Sequence, residues 1–162
     1  YHAYKYMVQT KPVLPLEDFI KQAEAICQSR GKRMTPIRKQ VLAIIAADDR
    51  CMKAYEILDA MLQDFPNSKP ATVYRALEFL ETEGFIHRLD ALNGWTACND
   101  IDLHGHDHNL LIVCTQCGLV AEVDAPDLSH KLQALITQSG FIQKSAQTEI
   151  RASCQKCELI ND

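Results

Sequence analysis

Two short cysteine pairs constrain this chain more than anything else in it. Cys114-x2-Cys117 and Cys154-x2-Cys157 are separated by 36 residues, and each pair presents two thiolates from one tight turn. Zinc takes four soft ligands at tetrahedral corners, so two such turns brought together satisfy one ion. Gly118, directly after the first pair, suits the left-handed backbone such a turn uses. A redox pair needs only one C-x-x-C opening a helix, and a duplicate on strand-like segments fits that poorly. Four unrelated core cysteines do not explain the spacing. The reading is a structural zinc site, and any fold must carry both turns to one place.

At 162 residues the chain can form one domain of usual size or two small ones. Seven cysteines is an odd number, no apolar run approaches the roughly 20 residues of a membrane span, and no signal peptide is visible. A cytoplasmic, reducing setting without disulfides or membrane association is therefore expected. The first six residues, YHAYKY, read as a poorly ordered tail.

Charge divides the chain. Residues 1–88 hold 13 Lys/Arg against 11 Asp/Glu, a net of +2, whereas residues 89–162 hold 4 against 10, a net of −6. Between Ala25 and Ala47 there is no acid, while Arg30, Lys32, Arg33, Arg38 and Lys39 cluster. Such a run serves a solvated helix end as readily as a phosphate-binding surface, and its surroundings decide. Those surroundings are helical. Leu16, Phe19, Ile20, Ala23, Ile26 and Cys27 recur at helical spacing. Thr35 and Pro36 form a helix start. Ala54, Ile57, Leu58, Met61, Leu62 and Phe65 repeat the pattern, and a fourth helix opens at Ser68–Pro70 and stops at Gly84.

The period then changes to two. FIHRLDALNGWTACND reads as strands around an Asn93-Gly94 turn, a strong hairpin signal. Helices followed by a hairpin describe a winged helix-turn-helix, whose last helix enters the major groove while the wing approaches the flanking backbone. Lys69, Thr72, Tyr74 and Arg75 lie near that helix's start. They supply a cation, a hydroxyl, an aromatic and a guanidinium suited to guanine. Arg33 and Lys39 of the basic run are candidate phosphate contacts.

MTPIRKQVL, TVYRALEFLETEGFIHR, HDH and the two cysteine pairs together resemble the ferric uptake regulator (Fur) family, and within it the zinc-responsive members. The resemblance runs from about Leu16 to Cys157. It implies an α+β chain in which an N-terminal winged helix precedes a small α/β dimerisation and metal-binding domain. The divisions expected are a tail over 1–15, a winged-helix domain over 16–92, wing end and hinge over 93–108, and the α/β domain over 109–162. It also implies a homodimeric, zinc-responsive repressor that binds double-stranded operator DNA and controls zinc uptake genes, with DNA contacts from Tyr55 and Arg75. It implies no catalysis and no small-molecule substrate.

A second metal site is partly readable from the residues. A two-residue turn at Asn93-Gly94 places Leu92 opposite Trp95 and Leu89 opposite Cys98, with His87 diagonal to Cys98 on the same face. Alternation puts His104, His106 and His108 together if that segment is extended, and Glu122 lies in the next apparent strand. The family's regulatory site uses His, Cys, His and Glu, which map onto His87, Cys98, His108 and Glu122; a small slippage selects His106 instead of His108. The resemblance therefore implies two Zn²⁺ per chain, one structural and one regulatory. A thiolate at Cys98 favours zinc over iron. Cys27 and Cys51 read as buried fillers.

Other classes compete. A zinc hydrolase needs an open coordination position and a substrate cleft, and four protein ligands leave neither. A zinc buffer or chaperone dispenses with DNA, against TVYRAL and the basic run. An iron or peroxide regulator of the same family is the nearest rival.

Overall fold

The computed structural model describes residues 7–10, 12, 14–99, 101, 109–145 and 147–160. Four helices open the chain: α1 (Leu16–Ser29), α2 (Pro36–Ala46), α3 (Ala54–Met61) and α4 (Pro70–Thr82). The α1 pattern buries Phe19, Ile20, Ala23 and Cys27, while Leu16, in its first turn, stays 40% exposed. Helix α2 starts as its sequence dictates. Thr35 has extended backbone, its hydroxyl accepts from the Arg38 N–H at 3.4 Å, and Pro36 takes the first helical position. Glu56 accepts the Lys53 N–H at 2.7 Å and secures the start of α3. Gly84 ends α4 with φ 82°, a backbone that glycine adopts without cost. Val41, Leu42, Ile45, Ile57, Met61, Val73, Leu77 and Leu80 join the α1 face in one core.

A hairpin follows, β2 (Ile86–Leu89) and β3 (Gly94–Ala97), but its register differs from the sequence expectation. Arg88 stands opposite Trp95 and His87 opposite Thr96, so the turn comprises residues 90–93. Asn93, not Gly94, takes the left-handed backbone, with φ 51°. The glycine answers a different need, the close approach of Met52. A Cβ on Gly94 would stand 2.6 Å from the Met52 carbonyl oxygen and would also collide with Cys51 Sγ. Met52 bridges to Trp95 through two backbone hydrogen bonds of 2.9 and 2.8 Å, giving the wing a third, minimal strand. The register moves the partner of His87 by four positions. An even shift keeps each side chain on its face, so His87 remains diagonal to Cys98.

The remaining strands form one sheet in the order β1-β5-β4-β6, with β1 at Met7–Gln9, β4 at Asn109–Cys114, β5 at Val120–Asp124 and β6 at Thr148–Ala152. Strand β4 pairs antiparallel with β5 and parallel with β6. Helix α5 (Pro126–Gln138) makes the crossover that parallel pairing requires, and α6 (Gln155–Ile160) closes the described chain. The fold is thus α+β, with a winged helix followed by an α/β domain. A second expectation, after the hairpin register, is corrected. Residues 7–9, assigned to a tail, pair antiparallel with β5, and Gln9 stands opposite Glu122. Three residues without clear alternation carry too little pattern to reveal that long-range pairing. Among the described residues no helix is long and apolar enough to cross a membrane.

Candidate metal centres and nucleic-acid interface

Parallel pairing of β4 with β6 assembles the four cysteines. Cys114 stands opposite Ala152 at the end of the ladder, so both strands deliver their cysteine turns to the same edge. Gly118, at φ 78°, turns the chain between Cys117 and β5. Cys114 Sγ and Cys157 Sγ are 3.9 Å apart, and Cys117 Sγ and Cys154 Sγ 3.7 Å. Disulfide sulfurs lie near 2.05 Å, so these are not disulfides. Tetrahedral sulfurs on zinc, at bonds of about 2.3 Å, stand about 3.8 Å apart. The four thiols therefore fit that ion, and all four lie within 4.8 Å of one another.

Their ionisation is uneven. Burial opposes the Cys114 thiolate, but N–H groups of Cys117, Cys154 and Gln116 outweigh it and bring its pKa down to about 6; the Cys154 N–H lies 3.3 Å from its sulfur. Cys157 is pushed up to about 12, first by its hydrogen bond with Cys154 and then by burial. A dication would relieve the repulsion that a second and third thiolate bring.

The second centre lies between the hairpin and the sheet. Side-chain donors of His87, Cys98 and Glu122 are all within 4.8 Å of one another. His87 Nε2 is 3.5 Å from Glu122 Oε1, against about 3.4 Å for nitrogen and oxygen ligands of a tetrahedral zinc. Cys98 is fully buried and His87 is 8% exposed. The Asn99 N–H donates to Glu122 Oε2 at 2.9 Å and orients the carboxylate; that contact had no signal in the sequence. His106 and His108, the two readings of a fourth ligand, lie outside the described residues, as does His104.

The expected DNA-contacting residues divide by their surroundings. On α4, Tyr74 and Arg75 are exposed and Thr72 is half-buried, with Lys69 exposed at its N-cap. Tyr55 and Tyr74 line one groove of about 630 Å³ between α3, α4 and the wing, and Tyr74 meets Trp95 edge-on at 6.2 Å. The side chains of Arg33, Lys69 and Arg75 make no ion pair among the described residues. The rest of the basic run is engaged internally. Lys39 pairs with Glu24 at 2.9 Å, and Arg30 and Lys32 reach Glu83. Arg38 stacks on Phe79 at 3.6 Å and donates to the Arg33 carbonyl. Their positions in sequence could not separate these structural cations from the free ones.

The fold and the two clusters define a winged-helix protein with two groups of side chains placed so that each could hold a metal ion, one of them between the hairpin and the sheet. Residues 29–151 match the model of the ferric uptake regulator family, and the chain belongs to that family. It is 33% identical over 141 residues to the zinc uptake regulation protein of Escherichia coli (strain K12), covering 87% of this chain and 82% of the relative. It is 27% identical over 143 residues to the peroxide-responsive repressor PerR of Staphylococcus aureus (strain USA300), covering 88% and 94%. A solved zinc uptake regulator complexed with zinc and DNA superposes with TM-score 0.82 at 31% identity, covering 91% of this chain and 98% of that one. Holo XcZur gives 0.76 at 34% identity, covering 88% and 98%.

Proposed function

We propose that this chain is a zinc-responsive transcriptional repressor of the ferric uptake regulator family, binding operator DNA as a homodimer when its regulatory site holds zinc. The observation that carries the reading is the convergence of His87 and Cys98, from the hairpin after α4, on Glu122, from the sheet. Zinc bound there supplies a Lewis acid that joins a nitrogen, a sulfur and an oxygen donor from two domains. Similarity to zinc uptake regulators exceeds that to the peroxide-responsive repressor, and Cys98 supports zinc over iron.

The switch is geometric in this reading. Only about one unit of charge is gained on filling the site, and a Debye length of about 8 Å screens it from DNA. Fixing His87 against Glu122 instead fixes α4 relative to the sheet, and in a symmetric dimer it fixes the spacing of two recognition helices. Support for the dimer lies on the α/β domain: α5 buries no residue, and Leu135, Phe141, Ile142, Leu159 and Ile160 are exposed. Arg75, Tyr74, Thr72, Lys69, Tyr55 and Arg33 face the DNA, Lys39 being available only if it leaves Glu24. The zinc complement is two per chain, one on the four cysteines and one at His87, Cys98, Glu122 and a histidine of the 106–108 segment. Operator binding at controlled free zinc, with iron and manganese as comparators, tests the proposal. Equal tightening by iron at matched free concentration would refute the zinc assignment.

A further inference from the structure

The wing's turn is gripped by the sheet. Glu149 on β6 accepts the Asp90 N–H at 2.9 Å through Oε1 and the Ala91 N–H at 3.0 Å through Oε2. Gln147 donates to the Arg88 carbonyl at 2.7 Å and to Glu149 Oε1 at 3.0 Å, which orients the carboxylate. Beneath this grip, fully buried Leu89 packs with Leu111, Val113 and Val120, and Ala91 and Leu92 lean on the same cluster. A carboxylate held by two backbone donors is a charge-assisted, bidentate contact, stronger and more directional than a neutral one. It engages the turn that a winged helix ordinarily offers to flanking DNA.

We infer that the wing of this chain is a domain clasp rather than a DNA-contacting element, and that Glu149, oriented by Gln147, is a positioning residue for operator binding. The clasp rests on the zinc-gated reading above. Strand β2 follows α4 after three residues, so holding residues 88–91 against β6 holds the recognition helix relative to the sheet. His87 lies one residue from the gripped Arg88 carbonyl. The clasp and the regulatory ligands therefore favour the same closed arrangement, and weakening one must weaken the other reciprocally.

The test uses Glu149→Gln and Glu149→Ala in the dimer of this 162-residue chain with its structural zinc. Glutamine keeps the shape but turns an amide NH₂ toward one of the two backbone donors, so it is expected to fail nearly as badly as alanine. Loss of a charged acceptor is expected to raise the free zinc for half-maximal operator binding about ten-fold. Zinc per chain at saturation and the salt dependence of DNA binding should not change. Amide exchange at Asp90 and Ala91 should accelerate about ten-fold or more. Gln147→Ala is expected to move both readouts the same way by less. Unchanged exchange at Asp90 and Ala91 overturns the clasp, and accelerated exchange with an unchanged zinc midpoint overturns its positioning role. Loss of about one unit of salt slope in Arg88→Ala, which removes the exposed cation of the wing, would place the wing at a phosphate and overturn its assignment as a clasp rather than a DNA contact. If the unmodified protein shows no zinc response, the preceding proposal fails, while the exchange measurement still decides the clasp.

Discussion

Gly94 offers a sharp test of how the wing is built. Its replacement by alanine introduces a Cβ 2.6 Å from the Met52 carbonyl oxygen and 3.1 Å from the carbonyl carbon, besides the contact with Cys51 Sγ. Two of these atoms are backbone and cannot rotate away, so the Met52–Trp95 bridge must open or strain. Its two hydrogen bonds contribute about 1 kcal/mol each, and overpacking a tight site costs about 1–3 kcal/mol. Opening the bridge relieves the overpacking, so the two costs overlap and Gly94→Ala should destabilise by about 2–4 kcal/mol. For a chain of this size that lowers Tm by roughly 5–15 °C. Thermal and urea unfolding at matched protomer and zinc concentrations measure it, because both shift apparent stability. Adding Cys51→Ala removes the sulfur but not the carbonyl, so the double variant should recover less than half of the loss. Gly140→Ala serves as the contrast: it meets nothing within 4 Å and carries only the strain of φ +80°, about 1 kcal/mol. A Gly94→Ala protein within about 0.5 kcal/mol of the parent refutes close backbone approach as the reason for this glycine.

Other expectations follow from the two centres and the DNA face. Cys114→Ser should lose the structural zinc and the dimer together, because metal binding and folding are linked; light scattering with zinc analysis checks this, and a folded metal-free dimer would refute it. At pH 7 the raised thiols of Cys117 and Cys157 hold protons while Cys114, lowered to about 6, is mostly thiolate. Zinc uptake by the four cysteines should therefore release about two protons or more, and should weaken as pH falls, more steeply below about 6 when Cys114 also protonates. Calorimetry in buffers of different ionisation enthalpy counts them. Arg75→Ala should relax sequence preference, with a cost of about 1–3 kcal/mol on operator, whereas Arg33→Ala should weaken all DNA alike and reduce the salt slope by about one.

What could be read from the sequence was mostly local. Thr35-Pro36 marked a helix start because the cap and the proline act within one turn, and Gly84 marked a stop for the same reason. The cysteine pairs were legible because zinc geometry is the same in any fold. The hairpin register was not, since Asn93-Gly94 satisfies two-residue turn chemistry while Gly94 is retained for Met52, 42 positions away in the chain. His87 and Cys98 were nonetheless placed on one face, because period-two alternation survives an even slip. Strand β1, the Asn99 contact with Glu122 and the grip of Glu149 on the wing depend on pairings across the whole chain, which no short pattern encodes. The basic run misled in part, because Glu24 and Glu83, which neutralise Lys39, Arg30 and Lys32, are brought in by packing.

If metal at the domain junction gates DNA binding, Cys98→Ser should abolish the gate. Serine nearly keeps the volume of the buried thiol and removes the soft ligand, while the four-cysteine centre sits at the far end of β4. Zinc per chain and operator affinity should be measured on the same dimeric sample as free zinc is raised. The Cys98→Ser protein should hold one zinc per chain instead of two, remain dimeric, and show no tightening on operator. A Cys98→Ser protein that holds two zincs per chain and tightens on operator as the parent does would contradict the metal gate.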